Sequence, residues 1–164
     1  MCSSDLPSFI RVEADEVTYN LHVMVRFDLE RAMMHGELAV PDLPQAWQAR
    51  FVEDFGISPP DDAHGVLQDI HWSAGLIGYF PTYTLGNVYA TQLMAAIRRD
   101  LPDLDGEMEA GRFDHLLAWL RSRVHAAGRV LAPGRLIERA TGAPVSADWL
   151  ITSLHERYGP PYGL

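Results

Sequence analysis

The chain has 164 residues, 48% of them hydrophobic, and 13 basic against 22 acidic side chains give a formal net charge of -9. That length and apolar content suffice for one sizeable core and exclude collagenous, low-complexity and disordered classes. The acidic balance, with arginines scattered among acids, speaks against nucleic acid and anionic membrane as partners. The single Cys2 allows no internal disulfide, and no N-terminal apolar run resembles a signal peptide or a membrane span, so the expected compartment is the cytoplasm.

In chain order, the first predicted element is a helix over 10–34. At about 100° per residue, Ile10, Val17, Leu21, Met24 and Val25 cluster on one side, while Arg11, Asp15, Tyr19, His22 and Arg26 share a sector nearly opposite. Two readings of that sector stay open. It is either a solvated face with ion pairs such as Arg11 with Asp15, or a cleft wall, because it carries Tyr and His and no Lys. A short run at 38–40 is the main strand-like hint. Asp42 and Gln45, with Pro44 in the first turn, read as a capping box whose helix stops at Gly56.

Loops are expected at 56–64 and 100–112, where Pro, Asp and Gly gather. Between them a long helix is predicted from His71 to Arg98, with Gly75, Gly78, Thr82 and Gly86 on the face of His71 and a kink at Pro81. Its glycines each cost roughly 1 kcal/mol relative to Ala, so a tertiary or functional reason is needed. Close helix packing would explain the glycines. It would not explain His71 with Tyr79 and Tyr83, whose polar ends converge. Further helices are expected over 113–127, 134–141 and from a cap at Ser146 to Gly159. The fold class is all-α, with no internal repeat and no linker long enough to divide the chain.

The stretch Gly65-Val66-Leu67-Gln68-Asp69-Ile70-His71-Trp72 matches a GxxQDxHW signature, and Ile10 to Tyr19 reads IRVEADEVTY, close to IRxxADELTY. Both resemble the carboxypeptidase Taq family of zinc metallocarboxypeptidases, and "DLPQAW", "GYFPTYTLGN" and "WLRSRVHAAGR" are similar to it as well. The resemblance runs from about Ser8 to Leu164 and covers the C-terminal third of a typical member, leaving 1–7 as an atypical segment. It implies the helical C-terminal part of a deep-cleft zincin-type peptidase that removes C-terminal amino acids with broad specificity. It also implies a homodimer.

The family holds zinc, or cobalt in its place, with the two His and a downstream Glu of an HExxH region. None of the seven His here stands in that motif, so no metal ligand is expected in this chain, which is read as a fragment inactive alone. What the resemblance leaves is transition-state donors and a grip for the substrate's terminal carboxylate. His71 with Tyr79 or Tyr83 are the candidates for the first. Arg11, with Arg26 behind it, is the candidate for the second, because a planar guanidinium suits a carboxylate. Gln68 and Asp69 would orient His71 or shape the cleft.

The same residues have structural readings. His71 can be a hydrogen-bonded core residue, the tyrosines core aromatics, and Arg11 a surface ion-pair partner. Two other functions are open to the same residues: a non-catalytic, stand-alone helical interaction module, and a hydrolase using Asp69 and His71 with a Ser or Cys. The latter is disfavoured because no Ser sits in a nucleophile-elbow motif.

Overall fold

A computed structural model describes residues 7–163, so Cys2 and most of the 1–7 segment lie outside the described residues. Among those residues the regular structure is helical and there is no strand, in agreement with the all-α expectation. The chain divides into two compact units, Met1–Thr84 and Leu85–Leu164.

The first unit contains a 3-10 turn at Arg11–Glu13, helix α1 (Tyr19–Met34), a second 3-10 turn at Val40–Asp42 and helix α2 (Leu43–Phe55). The helix expected over 10–34 is therefore interrupted. Asp15 breaks it: its Oδ1 accepts the N–H groups of Val17 and Thr18 at 2.8 and 2.9 Å and its Oδ2 accepts the Thr18 hydroxyl at 2.7 Å. An aspartate that holds the backbone two residues on offers the chain a turn in place of a helix.

Of the two readings of the α1 polar sector, the solvated face does not hold for its helical part. His22, Val23, Val25, Arg26, Leu29 and Glu30 are its buried residues, whereas Met24 is 48% exposed and Met34 62%. Arg11, His22 and Arg26 of the polar sector are turned inward, whereas Asp15 is exposed. Between α1 and α2 the core is built from Val25, Leu29, Leu43, Trp47, Phe51 and Val66, with Phe51 and Phe55 stacked at 4.3 Å. Gly65 packs closely beside it, since a Cβ there would stand 3.3 Å from the Asp61 carbonyl oxygen and 3.4 Å from the Trp47 ring, so that a neighbour would have to shift slightly.

Asp42 and Gly56 bound α2 as expected, but Asp42 makes no side-chain capping bond, so the capping box is not formed. Segment 71–80 is not helical. It runs through turns, and helix α3 begins only at Pro81 and extends to Asp100. Pro81 starts the helix instead of kinking it, since a first-turn residue needs no backbone donor and its φ is already helical.

In the second unit, most of α3 is followed by α4 (Leu104–Glu109), α5 (Asp114–Arg123), a 3-10 turn at His125–Ala127, α6 (Pro133–Thr141) and α7 (Asp148–Tyr162). Its core is Ala96, Ile97, Leu104, Trp119 and Ala140. A short helix thus occupies the loop expected at 100–112, the helix expected over 113–127 divides at Val124, and α7 runs past Gly159. Pro160 and Pro161 lack donors, but their fixed φ is helical, so they extend a final turn.

Candidate functional site

The site is assembled within the first unit from the 3-10 turn at Arg11, helix α1, the segment around 68–71 and the start of α3. Gln68 joins the first of these to the third. Its Oε1 accepts the Arg11 backbone N–H at 2.8 Å, and its Nε2 lies 3.0, 2.9 and 3.1 Å from the carbonyl oxygens of Phe9, His64 and Gly65. The amide is thereby spent on backbone. It sets where Arg11 emerges.

Asp69 then joins two arginines. Its Oδ1 accepts Arg11 Nη2 at 2.8 Å and Nε at 3.2 Å, and its Oδ2 accepts Arg26 Nε at 2.6 Å. Arg11 Nη1 donates to the Tyr19 hydroxyl at 3.1 Å, and Arg26 Nη1 donates to the His22 carbonyl at 2.7 Å. Aromatic faces enclose both guanidiniums, with Arg11 Cζ 4.8 Å from the Tyr83 ring centre and Arg26 Cζ 4.7 Å from that of Trp47. Cations over such rings gain from the ring quadrupole where water is excluded.

Burial is nearly complete, with side-chain exposures of 8% for Arg11, 0% for Arg26 and 12% for Asp69. Desolvation alone would raise the Asp69 carboxyl, but the hydrogen bond from Arg11 and the charge of Arg26 outweigh it and hold it below the usual carboxylate range. The two arginines respond in opposite directions. Burial opposes charge on both; for Arg11 its bonds to Asp69 and Tyr19 win and the pKa rises, whereas for the more deeply buried Arg26 desolvation wins and brings it down to about 10. Both stay charged at neutral pH, so two guanidiniums share one carboxylate.

His71 is buried, and its Nε2 lies 2.9 Å from the Tyr83 hydroxyl. Its Nδ1 faces Asp69 Oδ1 at 3.6 Å, too long for a hydrogen bond but favourable for a proton on that nitrogen. The Tyr79 ring is 5.6 Å from His71 and 5.4 Å from Tyr83, and Tyr79 is 43% exposed. Arg11, Arg26, Gln68, Asp69, His71, Tyr79 and Tyr83 thus come together. The Arg11–Asp15 ion pair of the solvated-face reading does not form, because Asp15 caps the turn into α1.

His22, also buried, has its Nε2 3.1 Å from the Ser8 carbonyl, so that nitrogen carries the proton, and its Nδ1 has no hydrogen-bond partner. Burial, then the charge of Arg26, lowers its pKa to about 4. Sequence reasoning passed over Glu30 and the indole of Trp72, which meet at 2.7 Å. The spacing His22, Arg26, Glu30 along one line of α1 was the available signal.

Among the described residues no group of three or more His, Cys, Asp or Glu is placed to hold a metal ion. The donor set at the site is also wrong for one, since its carboxylate is consumed by two arginines and its imidazole faces a phenol. No helix of the described residues is long and apolar enough to cross a membrane.

Comparison with known proteins defines the class first, that of metallocarboxypeptidases. The chain is 48% identical over 157 residues to thermostable carboxypeptidase 1 of Thermus thermophilus, covering 96% of this chain and 31% of that protein. It is 44% identical to carboxypeptidase 1 of Bacillus subtilis, again over 31% of that protein. Its fold superposes on the crystal structure of the M32 carboxypeptidase from Deinococcus radiodurans with a TM-score of 0.92 at 46% identity, covering 97% of this chain and 32% of the other. The family model described as carboxypeptidase Taq (M32) metallopeptidase matches residues 5–158, and the chain belongs to that family. It spans about a third of the length of these relatives.

Proposed function

We propose that this chain is the substrate-gripping part of a metal-dependent carboxypeptidase of the cytoplasm, acting on the free C-terminus of peptides. The observation that carries the reading is the charge count at the site. Two buried guanidiniums face one carboxylate, which leaves an excess positive charge in a place where charge is costly. A substrate's terminal carboxylate would neutralise it. Arg11 has five N–H donors and spends three on Asp69 and Tyr19, so two remain for that group.

In this reading Asp69 and Gln68 fix the Arg11 fork, and Arg26 supports Asp69 from behind. The His71–Tyr83 pair supplies a donor for the oxygen of the scissile carbonyl. With its proton on Nδ1, His71 accepts the Tyr83 hydroxyl through Nε2, and that phenolic hydrogen can turn from the imidazole toward the substrate oxygen. Tyr79, more exposed, closes the rim. The metal implied by the family, zinc or cobalt, would be held by ligands outside this chain. Added zinc or cobalt should give no release of amino acids by the isolated chain.

The direct test grafts this chain in place of the matched third of the Thermus thermophilus enzyme. The grafted enzyme should release C-terminal amino acids, and Arg11→Gln should raise KM for free-acid peptides by about tenfold to a hundredfold, the range of one charged hydrogen bond. A folded, metal-loaded graft without turnover would contradict the proposal.

A further inference from the structure

Glu30 stands outside the arginine cluster and has no role in the reading above. It is 5% exposed, and both its oxygens are occupied. Oε2 accepts the Trp72 indole N–H at 2.7 Å, and Oε1 accepts the Gly78 backbone N–H at 2.6 Å. Both donors are neutral. Burying a carboxylate against neutral donors is expensive compared with an apolar side chain of similar size, so packing gives no reason for it.

The two donors are the chain neighbours of His71 and Tyr79. Between them the chain is a surface turn: residues 73–79 are exposed, and its internal bonds are local, such as Leu76 N–H to the His71 carbonyl at 2.8 Å. Gly78 sits at φ 77°, a left-handed conformation in which an L side chain would be strained. Such a segment has little packing to define its shape. Glu30, rooted in α1, grips it at both ends.

We propose that Glu30 is a positioning residue. By holding Trp72 and Gly78 on one carboxylate it sets the spacing of the His71 and Tyr79 rings, now 5.6 Å apart, and keeps His71 Nε2 within reach of Tyr83. What those rings do rests on the carboxypeptidase reading; the grip itself does not. Glutamine at this place keeps the shape but points an NH2 group at one of the two donors, so one contact is lost and the other is kept.

The test uses the full 164-residue chain, with three NMR readouts: amide exchange at Gly78, the Trp72 indole resonance and the His71 Nε2 chemical shift. In Glu30→Gln, exchange at Gly78 or the indole environment should change as for a lost hydrogen bond, about tenfold in exchange rate, and the His71 Nε2 shift should move with it. Trp72→Phe removes one donor and keeps an aromatic ring, so it should reproduce part of the effect even where the Glu30 variant folds poorly. Unchanged Gly78 and indole signals would overturn the proposal. So would a loosened turn with an unmoved His71 signal, because the grip would then be structural only. An inactive grafted enzyme, by contrast, would count against the carboxypeptidase reading and leave these signals to decide the role of Glu30.

Discussion

The two units bury different kinds of polar side chain. Among the described residues, the buried polar ones of the first unit are Arg11, His22, Arg26, Glu30 and His71, all ionisable; those of the second are Gln92 and Thr141, both neutral. The neutral pair works as a loop fastener: Gln92 Nε2 lies 3.1 Å from the Thr141 hydroxyl and 3.0 Å from each of the Ala143 and Pro144 carbonyls, and its Oε1 accepts the Ser146 N–H at 3.3 Å. Such a network closes on itself at modest cost. Buried ions are different, because replacing them with well-packed apolar groups is often neutral or stabilising. The first unit therefore spends stability on where charge stands, and the second on shape.

That contrast can be broken experimentally. The largest effect should follow from Asp69→Asn, which leaves two buried guanidiniums without their counter-ion and should destabilise the first unit by about 3–5 kcal/mol in denaturant unfolding. Acid comes next. His22 is neutral in the fold, with a pKa of about 4 against 6.5 ordinarily, so the unfolded chain binds the extra proton between those values. Stability should hold above pH 6.5 and fall as pH drops toward 4, by up to roughly 3 kcal/mol, and His22→Gln should flatten that slope. Asp69, held below its ordinary 3.8, adds a further loss only at lower pH, as its folded-state carboxylate is protonated.

In the second unit, Gln92→Leu should cost about 1–3 kcal/mol, the price of unpaired polar groups, with no pH dependence between 4 and 6.5. Smallest of all is Arg135→Ala, which removes an exposed pair with Glu138 and should change the unfolding midpoint by less than about 1 kcal/mol. Equal pH slopes in both units, or a silent Asp69→Asn, would erase the distinction between them.

Much of the helical plan was legible, because helix stops are local. Gly56 and Gly142 end α2 and α6 where the sequence says they should. The failures are also local and chemical: Asp15 turns the chain, and Pro81 fits the start of a helix as well as a kink. The inward sector of α1 was visible as an oddity, Tyr and His without Lys, but its direction was not, since periodicity orders faces without saying which one is covered. The contacts that make the site join Arg11 to Asp69 and Arg26 to Asp69 across 58 and 43 residues, and no local pattern carries that information. The two signature stretches brought those residues to notice, whereas Glu30, in neither stretch, had only its helical spacing to mark it.

The central claim is that the excess positive charge of Arg11 and Arg26 receives a peptide's terminal carboxylate. Titrating the chain with an N-acetylated amino acid and with its C-terminal amide, while following the Nε–H resonances of the two arginines, tests it directly. The free acid should shift both signals in a saturable way, and the amide should leave them in place. Equal shifts with the two ligands, or none with either, would contradict the account.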